Sequence, residues 1–444
     1  MRLSVIGTGY LGATHAACMA DLGHEVIGLD IDPRKVDALN NGIVPFHEPG
    51  LPEVLQRALA SGRLHFTTSF ADVAEFAEVH FLCVGTPQSD DSGAADLAQV
   101  NGAIAQLAPH LTRPTLVVGK STVPVGTAQR LASELIASAP AGEAVELAWN
   151  PEFLREGFAV ADTVRPDRLV IGVTSENADN QLRAVYSSIL AAGVPLVVTD
   201  LPTSELVKTA ANAFLATKIS FINAMAELCE ATGADVGTLA EAIGHDERIG
   251  RRFLQAGLGF GGGCLPKDLR AFRARATEIG SGSALDFLDD VDAINQRCRT
   301  RTVAAAITLC GGNVAGLRVA VLGAAFKPDS DDVRDSPALD VAAELLDNGA
   351  DVVIHDPAAN TNAAALVPKA QYVDDIESAV TGADLVLLLT EWKQFVALDP
   401  AVTGQLVRTR RIIDARNVLK RNEWASHGWT IHTLGRGTLL PQTG

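Results

Sequence analysis

Over residues 1–200, short β-branched and aliphatic runs (LSVIG, EVIGLD, VHFLCVG and TLVVGK) alternate with amphipathic stretches. Apolar runs of that length, bounded by turn residues, read as parallel strands buried on both faces with helices between them. The pattern predicts a doubly wound α/β domain. It changes from Thr203 to Gly233, where SELVKTAANAFLATKISFINAMAELCEATG is rich in Ala and Leu and is not interrupted by proline. One long helix is expected there, with Ser204 available as N-cap. At about 1.5 Å per residue it would reach about 45 Å, enough to serve as a spine between lobes and as a dimer surface. More helices are expected through Cys310, and at Gly316 the strand pattern returns as LRVAVLGAAF, ADVVIHDP, ADLVLLLTEW and RRIIDARN. An internal echo accompanies it: Gly23-His-Glu-Val leading to Asp30 matches Gly349-Ala-Asp-Val leading to Asp356. The expected fold is α/β, with two Rossmann-like doubly wound lobes joined by a long central helix and a helical middle domain. The expected boundaries are 1–200, 201–312 and 313–444, since 444 residues are too many for one hydrophobic core.

Composition narrows the function classes. An apolar fraction of 47% against 20% charged residues fits a well-folded globular chain, and no apolar run reaches the ~18 residues of a bilayer span. MRLSVIGTGYLG enters a strand and a glycine turn directly, without the basic-then-apolar layout of a leader, so a cytoplasmic protein is expected, with no membrane partner. The net charge of −17 argues against nucleic acid, whose phosphates need a basic footprint. Any anionic ligand must then be met by a few placed cations and helix N-termini. The six cysteines (Cys18, Cys83, Cys229, Cys264, Cys298 and Cys310) form no CxxC pair and no zinc spacing, so free thiols and no metal site are expected.

The clearest ligand signal is Gly7-Thr8-Gly9-Tyr10-Leu11-Gly12, which follows the first strand and opens a helix, with Asp30 at the end of the next strand. Glycines in that order permit a tight turn and close backbone approach to a pyrophosphate. The helix N-terminus supplies amides, and the acid accepts from ribose hydroxyls. A strand–helix turn without ligand is the competing reading, and it leaves the ordered series of strand, glycines, helix, strand and acid unexplained. Asp30 favours NAD over NADP, whose 2′-phosphate would meet a carboxylate; Arg34 and Lys35 pull weakly the other way. In the second lobe Gly323-Ala-Ala-Phe-Lys327 lacks the glycine pattern, so no second dinucleotide site is expected there.

A second signal is GFGGGCLPKDLRAF, residues 259–272. A glycine-rich loop runs into Cys264, and Pro266 suits the first helical position, so Cys264 should stand just ahead of a helix N-terminus with Lys267 near. Both features favour a thiolate, and Asp268 is spaced to lie beside the sulfur. Lys208 and Asn212 are four apart and share a helix face, which by itself reads as readily as solvated surface. Glu152 and Glu156 in Asn150-Pro-Glu-Phe-Leu-Arg-Glu are open between base and helix-surface charge.

Taken together with Glu-Pro-Gly at 48–50, VGTP at 84–87, KSTVPVGT at 120–127 and FKPDSDDVRDSP, these motifs resemble the UDP-glucose/GDP-mannose dehydrogenase family, in the family's order and over essentially the whole chain. DERIG at 246–250 is most similar to members acting on UDP-glucose; GDP-mannose or a UDP-N-acetylhexosamine is the alternative substrate. The resemblance implies a four-electron, NAD-dependent oxidation at the sugar C6 through a thiohemiacetal and a thioester on Cys264. It further implies that Lys208 and Asn212 hold the developing oxyanion, that Glu152 and Asp268 handle protons or water, and that Thr122 positions the hydrolytic water. Lys35, Thr86, Thr122, Glu156, Lys267 and Arg334 would line the NAD site beside Gly7, Gly9, Tyr10, Leu11, Gly12 and Asp30. The nucleotide sugar would meet Glu152, Phe153, Leu154, Arg155, Glu156, Lys208 and Asn212, then Phe253, Leu254, Gln255, Ala256, Gly257, Gly261 and Lys327. Arg248 would approach from a neighbouring subunit of a homodimer built on the central helix. Arg416 would be a basic contact after the last strand, although Ala415 stands where the family often has glycine, and its Cβ would strain any positive-φ turn.

Overall fold

The structure, a computed structural model, describes residues 1–89 and 92–441. Two compact units emerge, Met1–Ala211 with Arg270–Gly282, and Asn212–Leu269 with Ser283–Gly444. The first holds eight strands: β1 (Arg2–Ile6), β2 (Glu25–Leu29), β3 (Leu64–Thr67), β4 (Val79–Leu82), β5 (Thr115–Gly119), β6 (Val145–Trp149), β7 (Leu169–Gly172) and β8 (Leu196–Thr199). Their order is β3-β2-β1-β4-β5-β6-β7-β8. Every neighbouring pair is parallel except β6 and β7, which run antiparallel and meet at one pair, Trp149 with Gly172. Side-chain alternation feeds two cores. Leu116 and Val118 of β5 pack with Leu3 and Val5 on one face, while Val117 joins Leu147 and Trp149 on the other. Burial on both faces is why these strands read as continuous apolar runs.

The second unit has β9 (Arg318–Leu322), β10 (Asp351–His355), β11 (Gln371–Tyr372), β12 (Leu385–Leu388), β13 (Arg411–Asp414), β14 (Thr430–Thr433) and β15 (Gly437–Leu439). The order is β11-β10-β9-β12-β13-β14-β15, closed by an antiparallel β14–β15 hairpin. The internal echo is a backbone likeness. Gly7 and Gly323 both have positive φ, 89° and 107°. The Gly7 amide donates to Leu29 O at 2.7 Å and that of Gly323 to His355 O at 2.9 Å. Asp30 Oδ2 accepts from Thr8 N at 3.0 Å, and Asp356 Oδ2 from Ala324 N at 2.8 Å. The two acids then diverge. Asp356 also accepts from Ala325 N, Ala358 N, Ala359 N and the Trp392 indole, which uses up its lone pairs within its own lobe.

The long helix runs Leu201–Thr232. Its start corrects the expectation of a serine cap: Asp200 Oδ1 accepts from Thr203 N at 2.7 Å, while the buried Ser204 hydroxyl turns back to Leu201 O. A carboxylate satisfies the first-turn amides and also suits the positive end of the helix dipole. At the other end Gly233, at φ 76°, lets Ala234 N reach Cys229 O at 2.9 Å and closes the last turn. Helices Val236–Gly244, Leu265–Glu278 and Phe287–Leu309 follow. Among the described residues no helix is long and apolar enough to cross a membrane.

Candidate active site

In the first unit the glycine turn has three different reasons for its three glycines. Gly7 needs its positive φ. A Cβ at Gly12 would lie 1.8 Å from the Gly7 carbonyl oxygen. Gly9 has neither constraint, because its φ is −70° and nothing stands within 4 Å of an added Cβ. The fold therefore does not require a glycine there, whereas a ligand pressed against the backbone would. The helix Tyr10–Asp21 begins at Gly9 with no side-chain cap, so its first amides are left for such a ligand. Asp30 is buried beside this turn, with Lys35 Nζ 3.9 Å from Oδ2. Leu11 is half-buried and Tyr10 donates its hydroxyl to Glu48. The Thr86 hydroxyl donates to Thr122 O at 2.8 Å, joining the ends of β4 and β5.

Glu152, Phe153, Leu154, Arg155 and Glu156 lie on an irregular loop after β6, which removes the helix-surface reading of the two carboxylates. Glu152 Oε1 is 3.0 Å from Lys208 Nζ, with 13% and 5% of their side chains exposed, and Oε2 accepts from Leu154 N at 2.5 Å. Lys208 is thus no solvated surface residue but half of a nearly buried ion pair. Its Nζ also lies 5.5 Å from the Phe153 ring centroid, and the Arg168 guanidinium covers the same ring at 3.9 Å. Arg155 is exposed and tied to Asp162, and Glu156 is half-buried.

In the second unit Cys264 is the residue just before the helix Leu265–Glu278, so Pro266 falls second in the helix rather than first. The first helical bond runs from Asp268 N to Cys264 O at 2.9 Å. Cys264 is the exposed one of six cysteines, none of which is in a disulfide; Cys18, Cys83 and Cys298 are buried with their thiols pushed up to about 12, 12 and 11 by burial. Asp268 is buried. Its Oδ2 accepts from Asn212 Nδ2 at 2.7 Å and its Oδ1 from Lys267 Nζ at 2.6 Å. Lys208 and Asn212, one turn apart on the long helix, are therefore each bonded to a different candidate acid.

The backbone of the glycine-rich loop ahead of Cys264 is met by both side chains and backbone of its neighbours. Buried Asn295 clamps Phe260, accepting from its N at 2.8 Å and donating to its O at 3.0 Å. A Cβ at Gly261 would meet Asp335 O at 2.2 Å and one at Gly263 the Arg334 guanidinium at 2.3 Å. Arg334 itself is exposed and paired with Asp332. Gly257 N donates to Asn223 Oδ1, between buried Leu254 and Ala256 on one side and Ala415 O on the other. Gln255 is exposed, Phe253 has φ 64°, and Lys327 lies over the Phe326 ring. The strain anticipated at Ala415 does not arise: the positive φ falls at Asn417, at 59°, whose amide donates to Ala256 O and Leu434 O. Arg416 is well anchored, donating to Leu389 O, Gly259 O and Phe326 O and facing Glu391. Arg248 is exposed and paired with Asp246.

Lys120, Asn150, Arg168, Asn223 and Asn295 are not among the expected site residues, because their partners are far away in the chain and leave no local pattern. Comparison with known proteins agrees with the order of these parts. Family models match residues 1–190, described as the NAD binding domain of the UDP-glucose/GDP-mannose dehydrogenase family, 202–297 as its central domain, and 320–421 as its UDP binding domain. The chain is 41% identical over 438 residues to a UDP-glucose 6-dehydrogenase of Rhizobium meliloti, covering 98% of this chain and 100% of that one. Its fold is similar to a UDP-glucose dehydrogenase from Pyrobaculum islandicum, with TM-score 0.88 and 40% identity over 95% of each chain. It is also similar to a UDP-D-ManNAc dehydrogenase from Pyrococcus horikoshii, with TM-score 0.85 and 28% identity over 98% of this chain and 100% of that one.

Proposed function

The chain belongs to the UDP-glucose/GDP-mannose dehydrogenase family, and we propose that it oxidises the C6 alcohol of UDP-glucose to the carboxylate as a UDP-glucose 6-dehydrogenase. In this reading residues 1–200 bind NAD, 201–312 carry the cysteine loop and 313–444 bind the UDP-sugar. Bound NAD supplies the electron sink, one equivalent for each of two two-electron oxidations at C6. The chain's own residues handle everything else. Glu152, held by Lys208, takes the hydroxyl proton as the alcohol becomes an aldehyde. The Cys264 sulfur then adds to the carbonyl carbon, forming a C–S bond and an oxyanion that Lys208 and Asn212 stabilise until Glu152 returns the proton it took. The second two-electron oxidation releases that proton to solvent, and the adduct becomes a thioester. Water, placed by Thr122 and deprotonated by Glu152, adds to it, the C–S bond breaks, and the acid leaves with Cys264 restored as thiolate. A helix N-terminus favours that negative charge, and Asp268 and Lys267 hold the first turn behind it.

The observation that carries this reading is Cys264, the exposed cysteine at a helix start behind a clamped glycine loop. A two-electron dehydrogenase has no use for a thiol there. The test is a panel of nucleotide sugars with NAD, counting NADH per sugar consumed. Two per UDP-glucose is expected. One per sugar would remove the four-electron reaction, and faster turnover of GDP-mannose or a UDP-N-acetylhexosamine would replace the substrate. Cys264→Ser should lower acid formation by several orders of magnitude with both ligands still bound.

The same reading includes a homodimer working in the cytoplasm. Phe214, Phe221 and Leu228 recur every seventh residue along the long helix and are 66%, 48% and 58% exposed, an apolar seam suited to a second copy. Phe221→Glu should shift the mass seen by light scattering from dimer to monomer; an unchanged mass places the subunit contact elsewhere.

A further inference from the structure

A buried lysine is costly unless its charge is met. Lys120, the residue after β5, is only 6% exposed, and its ammonium meets neutral partners. It donates to Asn150 Oδ1 at 2.9 Å and to the Tyr186 hydroxyl at 3.5 Å, and lies 5.9 Å from the centroids of both the Phe81 and Tyr186 rings. Burial pushes its pKa down, with Cys83 and Glu152 the acids that act the other way, and it in turn helps keep buried His15 neutral. Stability alone would be served as well by a methionine of similar shape, so the retained cation asks for another use.

Asn150 indicates what that use is. Its Nδ2 donates to Val170 O at 2.7 Å, its backbone N to Gly119 O at 2.7 Å, and its Oδ1 accepts from Tyr186 at 2.6 Å as well as from Lys120. Val170 belongs to β7, which meets β6 at the single pair Trp149 with Gly172. The Asn150 side chain therefore crosses the weakest seam of the first sheet, one residue beyond the last paired position. Lysine can only donate, so it fixes Oδ1 towards itself and leaves Nδ2 for Val170. Pro151 follows with its restricted φ, and then Glu152.

We propose that Lys120 is a positioning residue: through Asn150 it sets the start of the Glu152 loop. This rests on the role given to Glu152 above. The experiment compares the full-length enzyme with Lys120→Met, Tyr186→Phe and Glu152→Gln, measuring kcat, KM for NAD and for UDP-glucose, and thermal unfolding. Lys120→Met should unfold at the same or a higher temperature and keep both KM values within about twofold. Its kcat should fall by roughly 10–100-fold, as expected for a shift of about 1 Å in a reacting group. Tyr186→Phe removes one of the two side-chain donors to Asn150 Oδ1 and leaves Lys120 in place, so its kcat should fall less. This variant carries the test if Lys120→Met does not fold. Wild-type kcat in Lys120→Met, or wild-type kcat in Tyr186→Phe, overturns the proposal. A lower unfolding temperature with kcat and KM lost together in Lys120→Met also overturns it, by making the role structural. Wild-type kcat in Glu152→Gln would remove the underlying assignment; a slow Glu152→Gln beside a fast Lys120→Met removes the positioning role alone.

Discussion

Replacing Gly9 with alanine separates what the fold needs from what the cofactor needs. At φ −70° and ψ −165° the backbone already sits where any L-residue is comfortable, and the added Cβ meets nothing within 4 Å. The cost to the unliganded protein is therefore confined to a weaker helix start, under about 1 kcal/mol. If this turn holds the NAD pyrophosphate, the same methyl group would crowd an oxygen that accepts from a backbone amide at ordinary hydrogen-bond distance, about 3 Å. Displacing that oxygen forfeits one charge-assisted hydrogen bond, worth about 1.5–3 kcal/mol, which is roughly a tenfold to hundredfold weaker NAD affinity. Titration calorimetry with NAD, run beside thermal unfolding and a UDP titration, reads all three quantities. The expected pattern is a raised Kd for NAD, an unchanged Kd for UDP and an unfolding temperature close to wild type. Gly12→Ala is the contrast: its Cβ would lie 1.8 Å from the Gly7 carbonyl, so folding and NAD binding should suffer together. Wild-type NAD affinity in Gly9→Ala would refute the placement of the pyrophosphate on this turn, and affinity lost only in step with stability would refute the open space.

Three further outcomes follow from the same geometry. With Asp30 buried at the end of β2, NAD should exceed NADP by about tenfold or more in kcat/KM, and equal values would dismiss Asp30 as the selector. Lys208→Ala should lower kcat by roughly 10²–10³ with a smaller change in sugar KM, because its charge matters most as the oxyanion forms; a rise in KM alone would make it a ground-state contact. His80 is fully buried, accepts or donates only to Ser4 Oγ at 2.7 Å, and is pushed down to about 3 by burial. It stays neutral in the fold but charges near pH 6.5 once unfolded, so its contribution is present above that pH and is lost as pH falls towards 3, at up to about 1.4 kcal/mol per pH unit. Acid unfolding of His80→Gln should accordingly be less steep than wild type across that window, and superimposable curves would dismiss the effect.

Much of the molecule could be read along the chain because the rules involved are local. Strands buried on both faces announce themselves as unbroken aliphatic runs, as in β1, β5, β9 and β12, and the glycine turn, Asp30 and the Cys264 loop are fixed-offset patterns. Strands with weaker signals escaped: β8 lies at the sheet edge with Val197 and Val198 48% and 40% exposed, and β11 is two residues long. Choices between near neighbours also went to tertiary context. Asp200 rather than Ser204 caps the long helix, and Asn417 rather than Ala415 takes the positive φ, because Asn417 can reach Ala256 O and Leu434 O while an alanine has nothing to offer. Least legible were the partners of the charged and amide side chains. Nothing in the residues around Lys208 says that it is buried against Glu152, and nothing around Asn295 says that it clamps Phe260. Local sequence sets which backbone shapes are cheap within a few residues. Which distant group fills a buried donor or acceptor depends on how the sheets and helices pack, and there the cost of leaving a polar group unmet makes the selection.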